Sequence, residues 1–362
     1  MFENNYDVVI VGAGPAGAAA AYYSKKIDKD NKKILLVESL KGDKFNRYHH
    51  MCGEAVSKHI HNDFPDINIQ KFVKNNIKYF FEYWGNNVQI KSKTKGYIID
   101  RPNFLKNLIN EFENNSGEIL KDRVESCDKK SSKIIIKLKK RKISTKYLII
   151  ATGPNHPKNN IISLDGEVYK IPLYQITTEK FPLDKSELKF YYHEKYKENY
   201  KWIFPYGKNV KIGVPLKNRN EIAKYKKYNI LRKDIKYVYS GILNNYSNDN
   251  TLIIGDAAFQ NNPLTKGGIR TAFNAAKIAM ESILKYKNPK HYDTIWKNSG
   301  FYNKCYISSC KLLKKMKNKD LEKHAKLFKY FPASFPIIVS KAQYRKYLPL
   351  YKTYIKSEKY GW

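Results

Sequence analysis

Four groups of residues have the types and spacing to do chemistry. Gly12-Ala-Gly14-Pro-Ala-Gly17 places glycines where a chain turns tightly, approaches a phosphate and packs a helix on a strand. Gly255-Asp256-Ala-Ala, followed by Gly267-Gly268, brings a carboxylate close to a second glycine-rich helix start. Tyr200, Trp202 and Phe204 alternate, which sets their rings on one face of a strand. Cys52 lies among Lys44, Arg47, His49, His50, Glu54, His59 and His61, a thiol beside four of the eight histidines. Cysteine and histidine ligate metals as well as carry protons. This spacing matches no zinc pattern, so metal ligation is the minor reading and no metal is expected.

The elements that position the first group are legible. Asp7-Val-Val-Ile-Val11 is an apolar β-branched run that feeds the glycine turn, and the turn opens an Ala-rich helix through Ala18–Ala21. A polar turn, Asp28–Lys33, leads to a second buried strand, Ile34–Val37, which ends at Glu38. Glu38 stands 21 residues after Gly17, where an acid accepts hydrogen bonds from an adenosine ribose. Free amides and the helix dipole then face a pyrophosphate. A flexible loop before a core strand is the plainer alternative. The order of strand, turn, helix, strand and acid favours a dinucleotide site.

Residues 43–61 read as a loop. Strands are expected at 77–84, 88–92 and 97–99, and a helix starts at Asp100-Arg101-Pro102 with proline near its first turn. Further strands are expected at 134–138 and at 147–150, the latter ending in Ala151-Thr152-Gly153. Between 166 and 244, short aromatic segments alternate with Lys/Asn-rich turns, as in an antiparallel sheet. The Tyr200–Phe204 rings then serve either as ordinary core, the commoner use, or as a wall of a large apolar pocket. The strand 251–254 runs into Gly255-Asp256, and a helix follows from Ile269 to about Leu284. Its glycine-rich start, Gly267-Gly268, offers amides and a positive dipole end, which suits a reduced flavin ring that is anionic near N1 and O2.

With 362 residues the chain can bury two or three cores. It lacks an apolar run of ~20 residues and the basic start of a signal peptide, so a cytoplasmic protein is expected. Its 68 Lys+Arg against 33 Asp+Glu give a net charge of +35. Such a field draws anionic partners: an acidic redox protein, an anionic membrane surface or nucleic acid. No nucleic-acid motif is visible, and none is expected as partner. A lysine-rich composition that merely solvates the surface accounts for the charge equally well. The four cysteines make no disulfide framework.

Taken together, Gly-Ala-Gly-Pro-Ala-Gly17, Cys52-Gly-Glu-Ala, Tyr200-x-Trp-x-Phe-Pro205 with Gly213 beyond it, and Gly255-Asp-Ala-Ala…Asn-Pro263…Gly267-Gly-Ile-Arg270 resemble one family over residues 1–285. It is the geranylgeranyl reductases, of the digeranylgeranylglycerophospholipid reductase type, within the p-hydroxybenzoate-hydroxylase-like flavoproteins. The resemblance implies FAD as cofactor and saturation of isoprenoid chains, commonly those of archaeal lipids. Matched by position, Gly12, Gly14, Gly17 and Glu38 hold the adenosine diphosphate part. Arg101 supports the phosphates, Asp256 the ribityl or pyrophosphate, and Gly267 and Gly268 the isoalloxazine. Cys52 lies near the flavin, as the catalytic residue, and Tyr200, Trp202 and Phe204 shape a substrate tunnel. The chain departs from the pattern at Leu105, where an Asp is common, at Gly213-Val-Pro215, where a glycine pair is expected, and at His49-His50-Met51.

The expected fold is α/β. A Rossmann-type FAD-binding domain (1–75, 97–165 and 245–290) is interleaved with an antiparallel β-sheet substrate domain (76–96 and 166–244). A mostly helical C-terminal region (291–362) follows, with helices near 301–317 and 319–330. That tail, which includes the apolar, proline-broken Phe331–Val339, covers the substrate pocket, rests on a membrane surface through its aromatics and lysines, or forms a solvated helical cap. The expected reaction is hydride transfer to an alkene carbon and protonation of its neighbour, with Cys52, a nearby histidine or water as proton source. An acidic ferredoxin or other reductant is the expected donor, and attachment to the inner face of the cell membrane fits the charge. Two alternatives stand beside it. A flavin monooxygenase or halogenase shares the fold, but halogenases carry Trp-x-Trp-x-Ile-Pro and Trp202-Ile-Phe-Pro205 offers one tryptophan. A prenyl-binding escort protein would have lost the Gly-Asp and Gly-Gly elements retained here.

Overall fold

The computed structural model describes residues 5–139, 141–302, 304–330 and 345–362; Phe331–Val339 lies outside them. Two sheets organise the chain. The first is built on β1 (Asn5–Val11), whose Val8, Val9 and Ile10 are sealed from solvent. A strand buried on both faces is a continuous apolar run rather than an alternating one. β1 lies parallel between β2 (Ile34–Val37) and the Lys142–Ile150 strand, and Thr251–Ile253 runs parallel on the far side of that strand. Register sets Val11 opposite Ile150 and Ile150 opposite Ile253. These strands therefore end in one line, and the turns after them open side by side. That carboxyl edge is where open α/β sheets bind ligands.

The first turn leads into α1 (Pro15–Ile27), which packs on the helices Arg101–Asn114 and Ile269–Met280. Ala18–Ala21 are fully buried and small enough for that close approach. Residues 43–61 are not the expected loop. They fold as α2 (Gly42–His49), a short strand Ala55–Ser57 and a helical turn Ile60–Asp63. Only Phe45 and His49 of α2 are buried, too few apolar positions to register as a period.

The second sheet runs in the order 230–243, 166–178, 209–215, 201–206, 187–192, 73–84, 88–99 and 55–57. It is antiparallel except at one seam. Glu187–Tyr192 pairs parallel with Val73–Trp84, so the sheet is mixed where a wholly antiparallel one was expected. The expected strands 88–92 and 97–99 are one strand, Val88–Ile99, whose Lys91, Lys93 and Lys95 are exposed while Ser92 and Thr94 are half-buried. Ala55–Ser57 pairs with the end of that strand and so joins this sheet rather than the first.

Helices Lys290–Asn298, Lys304–Lys315, Asn318–Tyr330 and Leu348–Tyr360 form the rest. The middle pair matches the expected helices, and the flanking pair adds to them. Tyr306, Leu313, Leu321 and Tyr351 bury against Trp84 and Ile90, closing the hairpin end of the second sheet. Among the described residues, no helix is long and apolar enough to cross a membrane.

Candidate functional site

A cavity of about 1830 Å³ is lined from both sheets. Small-molecule pockets hold about 300–1,000 Å³, so this one has room for a large cofactor and a second ligand. Gly12, Gly14, Glu38, Cys52, Arg101, Tyr200, Trp202, Phe204, Asp256, Gly267 and Gly268 all line it. Gly17 does not. It lies beneath the turn, where a Cβ would overlap the Gly12 carbonyl oxygen. Its role is to hold α1 against the turn.

The first glycine turn has the shape to take a diphosphate. Gly12 has φ +98°, and a Cβ there would come within 2.5 Å of the Ala151 oxygen. Gly14 begins α1 with no side-chain cap, so the first amides of the helix stay free. A Cβ on Gly14 would meet only His49, at 3.6 Å, which leaves space above the helix start. Glu38 closes this end. It accepts from the Ala13 amide at 2.7 Å and the Leu40 amide at 2.6 Å. The acid is thereby fixed at the tip of β2.

Beside the turn lies a buried charge network that the sequence did not reveal. Arg101 donates from Nε to the His49 carbonyl at 2.7 Å, and its amide donates to Glu54 at 3.2 Å. Lys211 donates to the Glu54 carboxylate, to the Cys52 carbonyl at 2.9 Å and to the His50 carbonyl at 3.1 Å. Burial alone would raise the Glu54 carboxyl, but Lys211, His50 and Arg101 outweigh it and hold it below the usual carboxylate range. Burial, then Arg101 and Lys236, push the His49 imidazole well below its ordinary value, so it stays neutral. Lys211 and Glu54 are 157 residues apart in the chain, so no local pattern pairs them.

Asp256 accepts from Asn261 Nδ2 at 2.8 Å. Burial raises its carboxyl, opposed by Lys236, the Asn261 bond and Arg101. Lys236 was also unforeseen. It stands on the Ile230–Leu243 strand, over the Tyr48 ring, and burial and Arg101 bring its ammonium down to about 8. Two cations, Arg101 and Lys236, thus face the region between the first glycine turn and Asp256. Gly267 and Gly268 are tightly placed. A Cβ on Gly267 would lie 2.5 Å from the Gly361 carbonyl, and one on Gly268 would overlap Asn261. Trp362 and Tyr354 line the cavity too, so the described end of the tail, Leu348 onward, forms part of its wall.

Cys52 sits where the turn region meets the aromatic arm. Its Sγ accepts from the Glu54 amide at 3.3 Å, and a Cβ on Gly53 would lie 2.8 Å from the Phe204 ring. Trp202 stands opposite Gly213 in the sheet, and a Cβ on Gly213 would overlap the indole. Gly213 is the space that lets Trp202 lie flat. Tyr200 donates to the Thr265 carbonyl, which ties the sheet to the Gly267 turn. Phe190 joins Tyr200 and Phe204 at ring distances of 5.4 and 5.2 Å. The three rings are therefore both core and cavity wall. Among the described residues, no three His, Cys, Asp or Glu side chains gather as metal ligands. His61 instead lies 3.1 Å from the Tyr97 hydroxyl, and His50 3.4 Å from Glu54.

Residues 6–189 match the family model described as pyridine nucleotide-disulphide oxidoreductase. A digeranylgeranylglycerophospholipid reductase from Methanocaldococcus jannaschii is 30% identical over 361 residues, covering 88% of this chain and 89% of that protein. One from Methanococcus vannielii is 27% identical, covering 83% and 84%. Among solved structures, a geranylgeranyl bacteriochlorophyll reductase-like protein from Thermoplasma acidophilum superposes with a TM-score of 0.79 at 20% identity, covering 96% of this chain and 99% of that one. The flavin-dependent brominase Bmp2, as a triple mutant, superposes at 0.68 with 14% identity over 99% and 96%, a likeness of fold.

Proposed function

The chain belongs to the pyridine nucleotide-disulphide oxidoreductase family and, with its relatives, to the FAD-dependent geranylgeranyl reductases, and from that premise we propose that it saturates C=C bonds in the isoprenoid chains of membrane lipids. The observation that carries this reading is the single cavity that joins a diphosphate-binding turn to an aromatic, largely apolar arm. Bound and reduced, FAD supplies hydride to an alkene carbon. The residues around it bind, orient and exclude water.

In this reading Gly12, Gly14 and the start of α1 take the diphosphate, and Glu38 takes the adenosine ribose. Arg101 and Lys236 balance the phosphate charge, and Asp256 holds the ribityl or pyrophosphate. Gly267 and Gly268 lie against the isoalloxazine. Tyr200, Trp202 and Phe204 keep the prenyl chain dry and close to it, which an unactivated alkene requires. Cys52 would lie near the flavin, where the glycine turn meets the aromatic arm. The electron donor is an acidic carrier such as a ferredoxin, which a net charge of +35 would draw in, and the enzyme works at the inner face of the cell membrane. The test is to incubate FAD-loaded protein with a chemical reductant and a geranylgeranyl lipid, then weigh the lipid. A gain of two hydrogens per bond supports the reading, and a lipid of unchanged mass contradicts it.

A further inference from the structure

Glu82 lies on the Val73–Trp84 strand and lines the cavity. Among the described residues, no hydrogen bond or ion pair reaches it, and its oxygens are not among the polar atoms sealed from solvent. They open into the cavity. Cross-strand register places it in a row: Ile90 opposite Glu82, Glu82 opposite Phe190, Phe190 opposite Trp202. Two strand spacings put its backbone about 10 Å from that of Trp202, with the Phe190 ring between. Glu82, Phe190 and Trp202 thus stand side by side on one face of the sheet and line the same cavity.

The groups around Glu82 leave its charge unsupported. Phe80 and Trp84 flank it on its own strand, Ile90 and Ser92 face it from Val88–Ile99, Tyr192 from Glu187–Tyr192 and Tyr354 from the Leu348–Tyr360 helix. Burial holds the Tyr192 and Tyr354 hydroxyls neutral and brings His324, behind Trp84, down to about 4. Among the described residues no cation acts on this carboxyl, not even Lys78 four residues back on the same strand: burial is the one cause of its shift. An acid in such surroundings keeps its proton near neutral pH, as a general acid must. Burial alone raises this one to about 7.

We propose that Glu82 is the general acid of the reduction, protonating the alkene carbon that does not receive hydride. This rests on the reductase reading given above. The π bond is consumed as hydride from the reduced flavin forms one C–H bond and the Glu82 proton forms the other. The flavin loses two electrons, and the carboxylate left behind is reprotonated by water between turnovers.

The test is an anaerobic single turnover of reduced holoenzyme with a geranylgeranyl lipid, followed by flavin reoxidation across a pH series. The wild-type rate should fall as pH rises through about 7, because the protonated fraction falls. Glu82→Gln, nearly isosteric, should keep its FAD and bind lipid but react ~100- to 10,000-fold more slowly, without that pH dependence. Glu82→Asp should recover part of the rate and the pH profile. Glu82→Gln turning over at the wild-type rate with the wild-type profile would overturn the inference alone. A reduced wild type that leaves the lipid untouched would overturn the reductase reading and the inference with it.

Discussion

Glu54 sits at φ +58° with its carboxylate on Lys211, and both side chains are sealed from solvent. Removing one partner strands the other, which costs about 3–5 kcal/mol. Lys211→Met should lose stability of that order in denaturant unfolding, and adding Glu54→Gln should restore part of it. The pH response has a definite sign. The folded Glu54 carboxyl lies below its unfolded value, so its contribution is complete above the ordinary carboxylate range and is lost as pH falls through the lower folded value. Thermal unfolding of wild type and Glu54→Gln should therefore differ at neutral pH and converge in acid. Gly213 makes a second residue-scale case. Gly213→Ala would push the Trp202 ring aside, so lipid turnover should fall while bound FAD, measured by absorbance, is kept. Gly213 was visible in the sequence as part of a motif. Lys211 was one lysine among many, and only the fold reveals it as buried.

At the scale of elements, what could be read was what neighbours in sequence decide. β1, the glycine turn, α1, β2 and Glu38 follow one another within 40 residues, each carrying its own signal of period or turn chemistry. Elements fixed by distant contacts were not legible. α2 has too little apolar period, and the parallel seam of Glu187–Tyr192 on Val73–Trp84 joins segments about a hundred residues apart. The tail's part in the cavity likewise depends on where the Leu348–Tyr360 helix docks. The bond from the Tyr200 hydroxyl to the Thr265 carbonyl ties the second sheet to the Gly267 turn. Tyr200→Phe should lower stability by about 0.5–1.5 kcal/mol and loosen the Gly267 turn, read as weaker FAD binding by fluorescence titration.

For the whole molecule, the composition makes a prediction that no single site makes. A net charge of +35 sets up a long-range field, which salt screens within about 8 Å at physiological ionic strength. Reduction of the bound flavin by an acidic ferredoxin should slow steeply as salt rises, in stopped-flow measurements. A rate indifferent to salt would assign the lysines to solvation instead. Reduced holoenzyme, mixed with a geranylgeranyl lipid in the strict absence of oxygen, should reoxidise its flavin while the lipid gains two hydrogens for each bond saturated. Flavin that stays reduced until oxygen is admitted, with lipid unchanged before and oxygenated after, would contradict the account.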